Sequence, residues 1–370
     1  MKRPTLADIA CRAGVTKAAV SFALNGQPGV SDATRARILA IAHDLGFQPN
    51  SAARALSDGR AGAFGLVFDL RARAVGIESC FMQLLSGIQA ELSRDHIALL
   101  FTTAQDQAAE ISLYRSWWAQ RRVDGVFLVD LQVDDQRVAT LQELRMPAVV
   151  FGTPKGAGSL PAVWPDDVAA TRTVVEYLAG LGHRRLARVS GIPSYWHTRL
   201  RADALQEVAG AAGLEAMSVP GDGTGEHGAK ATSKLLRSAR PPTAILYDND
   251  LMAVSGLSIA QHLGVQVPAE LSIVAWDDSA LCEAVHPSLT ALRRDIAARG
   301  AEGARRLVRL VDGPAGDGST GDGSTGDGST GDGSVVGNFE EAPSVLIRRG
   351  STASPARTRP VLSPSSIRGS

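Results

Sequence analysis

Cysteine is scarce in this chain. Cys11, Cys80 and Cys282 are the three in 370 residues, and no two form a Cys-x-x-Cys pair. The odd count and wide spacing exclude a disulfide framework, argue against a zinc site, and point to reduced, buried thiols in a cytoplasmic protein. Long apolar runs are missing as well. No stretch of 18 apolar residues occurs, and the opening MKRPTLADIACRAG lacks a run of signal-peptide length, so the expectation is a soluble chain that is not exported. Catalytic signatures are also wanting. There is no Gly-x-x-x-x-Gly-Lys, no Gly-x-Ser-x-Gly and no metal-spaced histidine set, while GAGSLP lacks the third glycine of a dinucleotide fingerprint. No catalytic residue, cofactor or metal is expected.

Net charge is absent overall, with 38 basic and 38 acidic residues, but it is unevenly spread. Residues 1–60 hold eight Lys/Arg against four Asp/Glu, which leaves the first segment at +4 and the remainder at −4. A positive end on a slightly acidic body fits phosphate contact through one end only.

What is present begins with TLADIACRAGVTKAAVSFALN, residues 5–25. Thr5 and Asp8 have capping-box spacing, and Leu6, Ile9, Ala10 and Ala13 fall on one helical face. Gly14 suits a left-handed stop, and Val15 can be buried in the turn. Thr16 is a fresh N-cap, and Val20, Ala23 and Leu24 form the inward face of a second helix. A small residue at the crossing, a glycine in the turn and a β-branched anchor are what a helix-turn-helix requires, although an ordinary αα-hairpin shares them. Ser31 caps a third helix with the stripe Ile38, Ile41, Ala42 and Leu45, ended by Gly46. Pro49 then blocks extension, and Asn50 caps a short fourth helix through Leu56 that needs a partner to be stable.

From Ala63 the rhythm changes. AFGLVFDL, IALLFTT, DGVFLVDL, AVVFG, RLARVSG, AMSVPG, TAILYD and LSIVAW are strand-like runs separated mostly by helix-sized amphipathic spans. Repeated β-α-β signals imply parallel sheets with helices on both faces. The pattern restarts near Pro161–Pro165, which suggests two similar lobes with a ligand crevice between them. LTALRRD and PSVLIRR are expected to cross back between lobes.

TLADIA, AGVTKAAVSFALNG, VSDATRARILAIAHDLGFQPN and AARAL together resemble the headpiece of the LacI/GalR family of bacterial transcription regulators. The resemblance implies that the second helix enters the DNA major groove and that the short helix pairs with its twin in the minor groove, where Leu56 wedges a base step open. It implies DNA contacts at Thr5, Thr16, Lys17, Ala18, Ser21, Phe22, Asn25, Asn50, Ala53 and Leu56. Phe22 departs from the family's usual polar residue: it either lies against a thymine methyl or turns partly into the core.

VDGVFLVD, YLAGLGHRRLARVSG, RLRADAL, YDNDLMAVSGLSIAQHLGVQVPAELSIVAWDDS and HPSLTALR resemble the same family's effector domain, whose fold is that of periplasmic sugar-binding proteins. Phe81, Arg201, Asn249 and Asp277 then match effector-contacting positions. The bland alternatives are helix caps for Asp250 and Asp277 and a surface charge for Arg201. Gly223 stands where the family often carries an aromatic ring, so Trp196, beside Tyr195, is a candidate replacement wall. A sugar is the expected effector, a purine or other metabolite the alternative.

The expected organisation is an all-α helix-turn-helix headpiece over 1–48, a hinge over 49–60, and a two-lobed periplasmic-binding-protein-like body over 61–348 with doubly wound parallel sheets. The repeat GDGSTGDGSTGDGSTGDGS, 316–334, cannot bury apolar surface and reads as a flexible insert (314–336) inside the second lobe. A flexible tail is expected over 349–370; without a leucine heptad, it points to a dimer. The functional expectation is a cytoplasmic regulator, a repressor in role, nucleoid-associated when bound to a palindromic double-stranded operator. No membrane contact is expected. A stand-alone solute-binding protein or an α/β enzyme is the rival reading.

Overall fold

A computed structural model of the chain describes residues 4–24, 26–47, 59–69, 79–313 and 337–356. The chain divides into two units, Met1–Ala61 and Gly62–Ser370.

The first unit is three helices, α1 (Leu6–Ala13), α2 (Lys17–Leu24) and α3 (Asp32–Asp44). Thr5 and Asp8 close the capping box in both directions, and Gly14 ends α1 at φ 64°. Thr16 Oγ1 accepts from the Ala19 amide at 3.2 Å, which caps α2. Ile9, Val20 and Ile38 are completely buried at the centre, flanked by Ala10, Ala13, Ala23 and Ala42. Arg35 of α3 donates to the carbonyls of Phe22, Ala23 and Gln27 (3.3, 3.2 and 2.6 Å). It thereby satisfies acceptors that the end of α2 leaves open.

In the second unit, residues 63–164 build β1 (Ala63–Asp69), α4 (Ser79–Leu92), β2 (Ala98–Ala104), α5 (Gln107–Ala119), β3 (Gly125–Leu128), α6 (Gln136–Glu143), β4 (Ala148–Phe151) and β5 (Ala162–Trp164). The chain then enters a second lobe through α7 (Asp167–Gly180), β6 (Arg185–Val189), α8 (Trp196–Ala211), β7 (Glu215–Val219), α9 (Gly225–Leu236), β8 (Ala244–Tyr247), α10 (Asp250–His262), β9 (Ser272–Ala275), α11 (Ala280–Ala284) and β10 (Thr290–Arg293). It crosses back with α12 (Ile296–Asp312) and β11 (Phe339–Glu340), and crosses a third time to β12 (Val345–Ile347).

The first sheet has the order β11-β5-β4-β3-β1-β2 and the second β12-β10-β9-β8-β6-β7. All pairings are parallel except β10 with β12. Every residue of β3, β4, β8 and β9 is buried, as expected of central parallel strands covered on both faces. In the first lobe α4 and α12 pack at backbone distance: a Cβ at Gly87 would overlap the Ala297 carbonyl, and one at Gly300 the Leu84 carbonyl. That contact fixes the end of α4 that bears Phe81.

Three expectations are corrected. The described flanks of the 314–336 segment, α12 and β11, both belong to the first lobe, not the second, because the chain has already crossed back after β10. The segment itself lies outside the described residues, as do 357–370. Residues 349–353 are no loose tail: Ser351 is fully buried, exchanging bonds with Ile273 (Oγ to carbonyl, 2.6 Å; amide to Ser351 carbonyl, 2.9 Å). Finally, of the three thiols only Cys282 is buried; Cys11 is exposed because it falls off the Ile9–Ala10–Ala13 face.

Candidate functional site

The strands of both lobes aim their carboxyl ends at one cleft of about 180 Å³, the place where open parallel sheets bind ligands. From the first lobe come Phe81 on α4, Asp130 just past β3 and Gly152 just past β4; from the second, Arg201 on α8, Asp248 and Asn249 just past β8, and Asp277 past β9. The structure therefore gathers four of the five expected effector residues, Phe81, Arg201, Asn249 and Asp277, around one space. Gly223 lines it as well, at φ 82°, and a Cβ there would find its nearest neighbour, Asn249 Nδ2, 3.8 Å away.

Trp196 does not line the cleft. Its ring turns to the first lobe's core, with the Lys155 ammonium 5.0 Å from its centroid. Tyr195, its neighbour, is the ring that reaches the cleft. Two first-lobe rings, Phe81 and Phe151, line the cleft; Phe81 is buried and backed by Phe68 and Phe101 at centroid distances of 5.1 and 5.9 Å.

The charges are arranged in pairs. Arg201 is a buried side chain, not a surface charge; its Nε donates to Asp167 at 3.1 Å, and its guanidinium lies over Trp276. Among the described residues its two terminal nitrogens meet no acceptor. Arg294 pairs with Asp277, and Arg299 with Glu341. Asp248 holds the fully buried Arg188 by two bonds, one at 2.7 Å, and accepts from the Gly191 amide at 3.0 Å. Burial pushes the Asp248 carboxyl up, but Arg188 and Arg201 outweigh it and leave the pKa below the ordinary value. Burial drives His197, which also lines the cleft, down to about 4, helped by Arg201, so it is neutral at pH 7.

Asn249 combines two of the readings. Its Oδ1 caps α10 through the Met252 amide at 2.8 Å, while its Nδ2 donates to the Gly223 carbonyl at 2.8 Å. Asp277 serves as a partner for Arg294 and not as a helix cap, and Asp250 is the first residue of α10.

Sequence reasoning missed Asp130, Asp167, His197, Asp248 and Arg294. Asp130 and Asp248 had a signal, since each follows a buried strand run directly. Arg294 lies in LTALRRD, a stretch expected to cross back, but nothing in that run says that its guanidinium reaches the cleft and takes Asp277.

In the N-terminal unit, Lys17, Ala18 and Phe22 are exposed on α2 and Ser21 is half-buried beside them. Phe22 is 40% exposed, which decides against a core role. Gly29 lies beside the ring, so close that a Cβ there would be 3.4 Å from Cδ2. Thr5 and Thr16 are at the starts of α1 and α2, engaged as caps. Asn25, Asn50, Ala53 and Leu56 lie outside the described residues.

Comparison with known proteins gives two family matches: bacterial regulatory proteins, lacI family, over residues 5–50, and a periplasmic binding protein-like domain over 175–321. The HTH-type transcriptional regulator CelR of Thermobifida fusca is 30% identical over 84% of this chain and 93% of its own length. The regulator AglR of Rhizobium meliloti is 31% identical over 80% and 84%. Among solved structures, a LacI family transcriptional regulator from Bifidobacterium animalis is 34% identical, with a TM-score of 0.70 over 80% of this chain and all of its own. A CelR–cellobiose complex is 27% identical, with a TM-score of 0.67 over 94% of this chain and all of its own. The lac repressor dimer bound to operator and an anti-inducer, at 24% identity and a TM-score of 0.78 over 95% and 100%, shares the fold.

Proposed function

Since the chain belongs to the lacI family of bacterial regulatory proteins and is a DNA-binding transcriptional regulator, we propose that an uncharged sugar in its cleft controls its grip on an operator. It acts as a dimer on a palindromic site, as a repressor. Lys17 and Ala18 read base edges, Phe22 lies against a thymine methyl, and Ser21, Asn25 and Asn50 hold phosphates. Thr5 and Thr16 present the starts of their helices to the backbone. From the sequence alone, Ala53 and Leu56 belong to the hinge, with Leu56 the minor-groove wedge.

The observation that carries the sugar reading is the state of Arg201. Asp167 and Trp276 hold its guanidinium in place, and its two outer nitrogens are open to hydroxyl oxygens. Asp277 and the Asn249 amide add acceptor and donor capacity, and Phe81 offers an apolar face for a ring. Each cleft arginine already has its carboxylate, so no positive charge is left to attract an anion. The cellobiose in the CelR complex is a relative's ligand that fits this chemistry.

Closure or rotation of the lobes around the sugar changes the spacing of the two N-terminal units in the dimer. Coupling of about 1–3 kcal/mol, or roughly 5–150-fold in operator affinity, is the usual range. The test has two stages. Selection of bound duplexes from random DNA should return an inverted repeat, retained less as salt rises. A panel of neutral mono- and disaccharides should then release it. Retention of no inverted repeat at low salt defeats the DNA assignment, and Leu56→Ala should weaken the selected complex while the sugar response survives.

A further inference from the structure

The lobes are joined at one rim of the cleft by backbone. The Val133 amide donates to the Ser194 carbonyl at 2.9 Å and the Trp196 amide to the Leu131 carbonyl at 2.9 Å, so Gln132 and Tyr195 pair as an isolated antiparallel bridge. Residues 131–133 follow β3; residues 194–196 begin α8, the helix of His197 and Arg201. Tyr195 makes no side-chain cap on that helix. One of the amides every helix start leaves unsatisfied is taken instead by a carbonyl of the other lobe. The Trp196 ring follows its amide into the first lobe's core, where a Cβ on Gly156 would collide with it.

A buried charge cluster stiffens the first-lobe side. Arg137 donates from Nε to Asp135 at 2.9 Å, from Nη1 to both Glu110 oxygens at 3.1 and 2.9 Å, and from Nη2 to Asp135 at 2.6 Å and the Asp130 carbonyl at 2.9 Å. Asp135 also accepts from the Gln132 amide at 2.9 Å and from Gln107 at 2.9 Å. Asp130 and Asp134 have φ of 51° and 56°. Such left-handed non-glycine residues persist where surrounding bonds over-determine them; at Asp130 one of those bonds comes from Arg137, to its carbonyl, and Asp134 is followed directly by Asp135, which Arg137 grips.

We propose that Arg137 is a positioning residue for a clasp between residues 131–133 and 194–196, which holds the lobes together at this rim without ligand and is released when the cleft opens. Its bearing on effector exchange rests on the sugar-cleft reading; the clasp itself does not.

Amide hydrogen exchange on the full chain, without sugar or DNA, tests it. The Trp196 amide should be protected by about tenfold or more relative to the unfolded chain. Val133→Pro deletes the amide bonded to Ser194. Val133 precedes left-handed Asp134 in the turn, a position where a type II turn accepts proline, and the β3 amides report whether the first lobe keeps its shape. Exchange at Trp196 should then rise by about tenfold, with β3 and β6 amides unchanged. Arg137→Met should do the same; should it fail to fold, Val133→Pro carries the test. An unprotected Trp196 amide in the native chain, or one indifferent to Val133→Pro, overturns the clasp. Loosening of α5 and β3 by Arg137→Met with Trp196 still protected overturns the role of Arg137. Loss of the sugar response in a separate titration would strike the effector reading and leave these exchange results standing.

Discussion

The guanidinium carbon of Arg201 stands 4.0 Å from the centre of the Trp276 ring. Trp276 is fully buried and its Nε1 has no hydrogen-bond partner among the described residues. A desolvated cation–π contact is worth roughly 2 kcal/mol, and with Asp167 at Nε it leaves Arg201 little rotational freedom. The arginine reaches a ligand already oriented, so less entropy is lost on binding.

Arg201→Ala should therefore abolish sugar-driven operator release, removing the roughly 5–150-fold coupling, while operator retention without sugar persists. Gel retardation titrated with the active sugar reads both. A normal response takes Arg201 out of the site.

Charge should govern selectivity. With Arg201, Arg294 and Arg299 each matched to a carboxylate, a phosphorylated or carboxylated form of the active sugar meets no free cation and pays for its own desolvation. It should bind about tenfold or more weakly, since discrimination by unpaired buried charge is worth at least ~1.4 kcal/mol. Calorimetric titration of matched neutral and anionic sugars checks this; equal affinities contradict it.

Phe22 is exposed on α2, and a phenyl ring can report a thymine methyl but cannot donate to guanine. Phe22→Ala should relax the preference at one base pair by about 1 kcal/mol, the scale of one buried methyl contact, seen as a flattened column in duplex selection. Lys17→Ala should cost affinity with a different sequence signature. Unchanged selection with Phe22→Ala would place the ring away from the bases.

Acid should weaken the body. His183 bonds Thr243 at 2.9 Å, Ser272 at 3.0 Å and the Ala353 carbonyl at 3.0 Å, and burial lowers its pKa to about 4. Above pH 6.5 neither folded nor unfolded chain takes up this proton. As pH falls from about 6.5 towards 4, the unfolded chain takes it first, so stability falls, by up to about 1.4 kcal/mol per pH unit. His197, also lowered to about 4, adds in the same direction. Urea midpoints from pH 7.5 to 4.5 should show a shallower decline for His183→Gln, at lower overall stability. Identical slopes would dismiss His183 as a contributor.

Much of the fold was legible. Thr5, Gly14, Thr16 and Ser31 are local devices, each acting over three or four residues, and the helices begin or end where they stand. The buried runs GVFL, AVVF, AILY and SIVA are continuous apolar strands because their sheets are covered on both faces. Less legible was which lobe the chain is in after β10. LTALRRD reads as a crossing, but no local mark says which lobe the next helix packs into, so the sequence reading puts the flanks of 314–336 in the second lobe and Ser351 in a loose tail. Trp196 shows the same limit: its place beside Arg201 in sequence says nothing of which lobe its ring enters.

The sequence by itself determined the caps, the helical and strand periods, the positive N-terminal segment and the kinds of side chain available to a polyol, because all of these follow from composition and short-range spacing. Only the tertiary structure decided that Asp167, Trp276 and Arg201 meet, that Arg294 takes Asp277, and that a carbonyl of one lobe caps a helix of the other. Those partners lie 17 residues apart or more, and they are brought together by burial of the sheets, a force that has no direction along the chain.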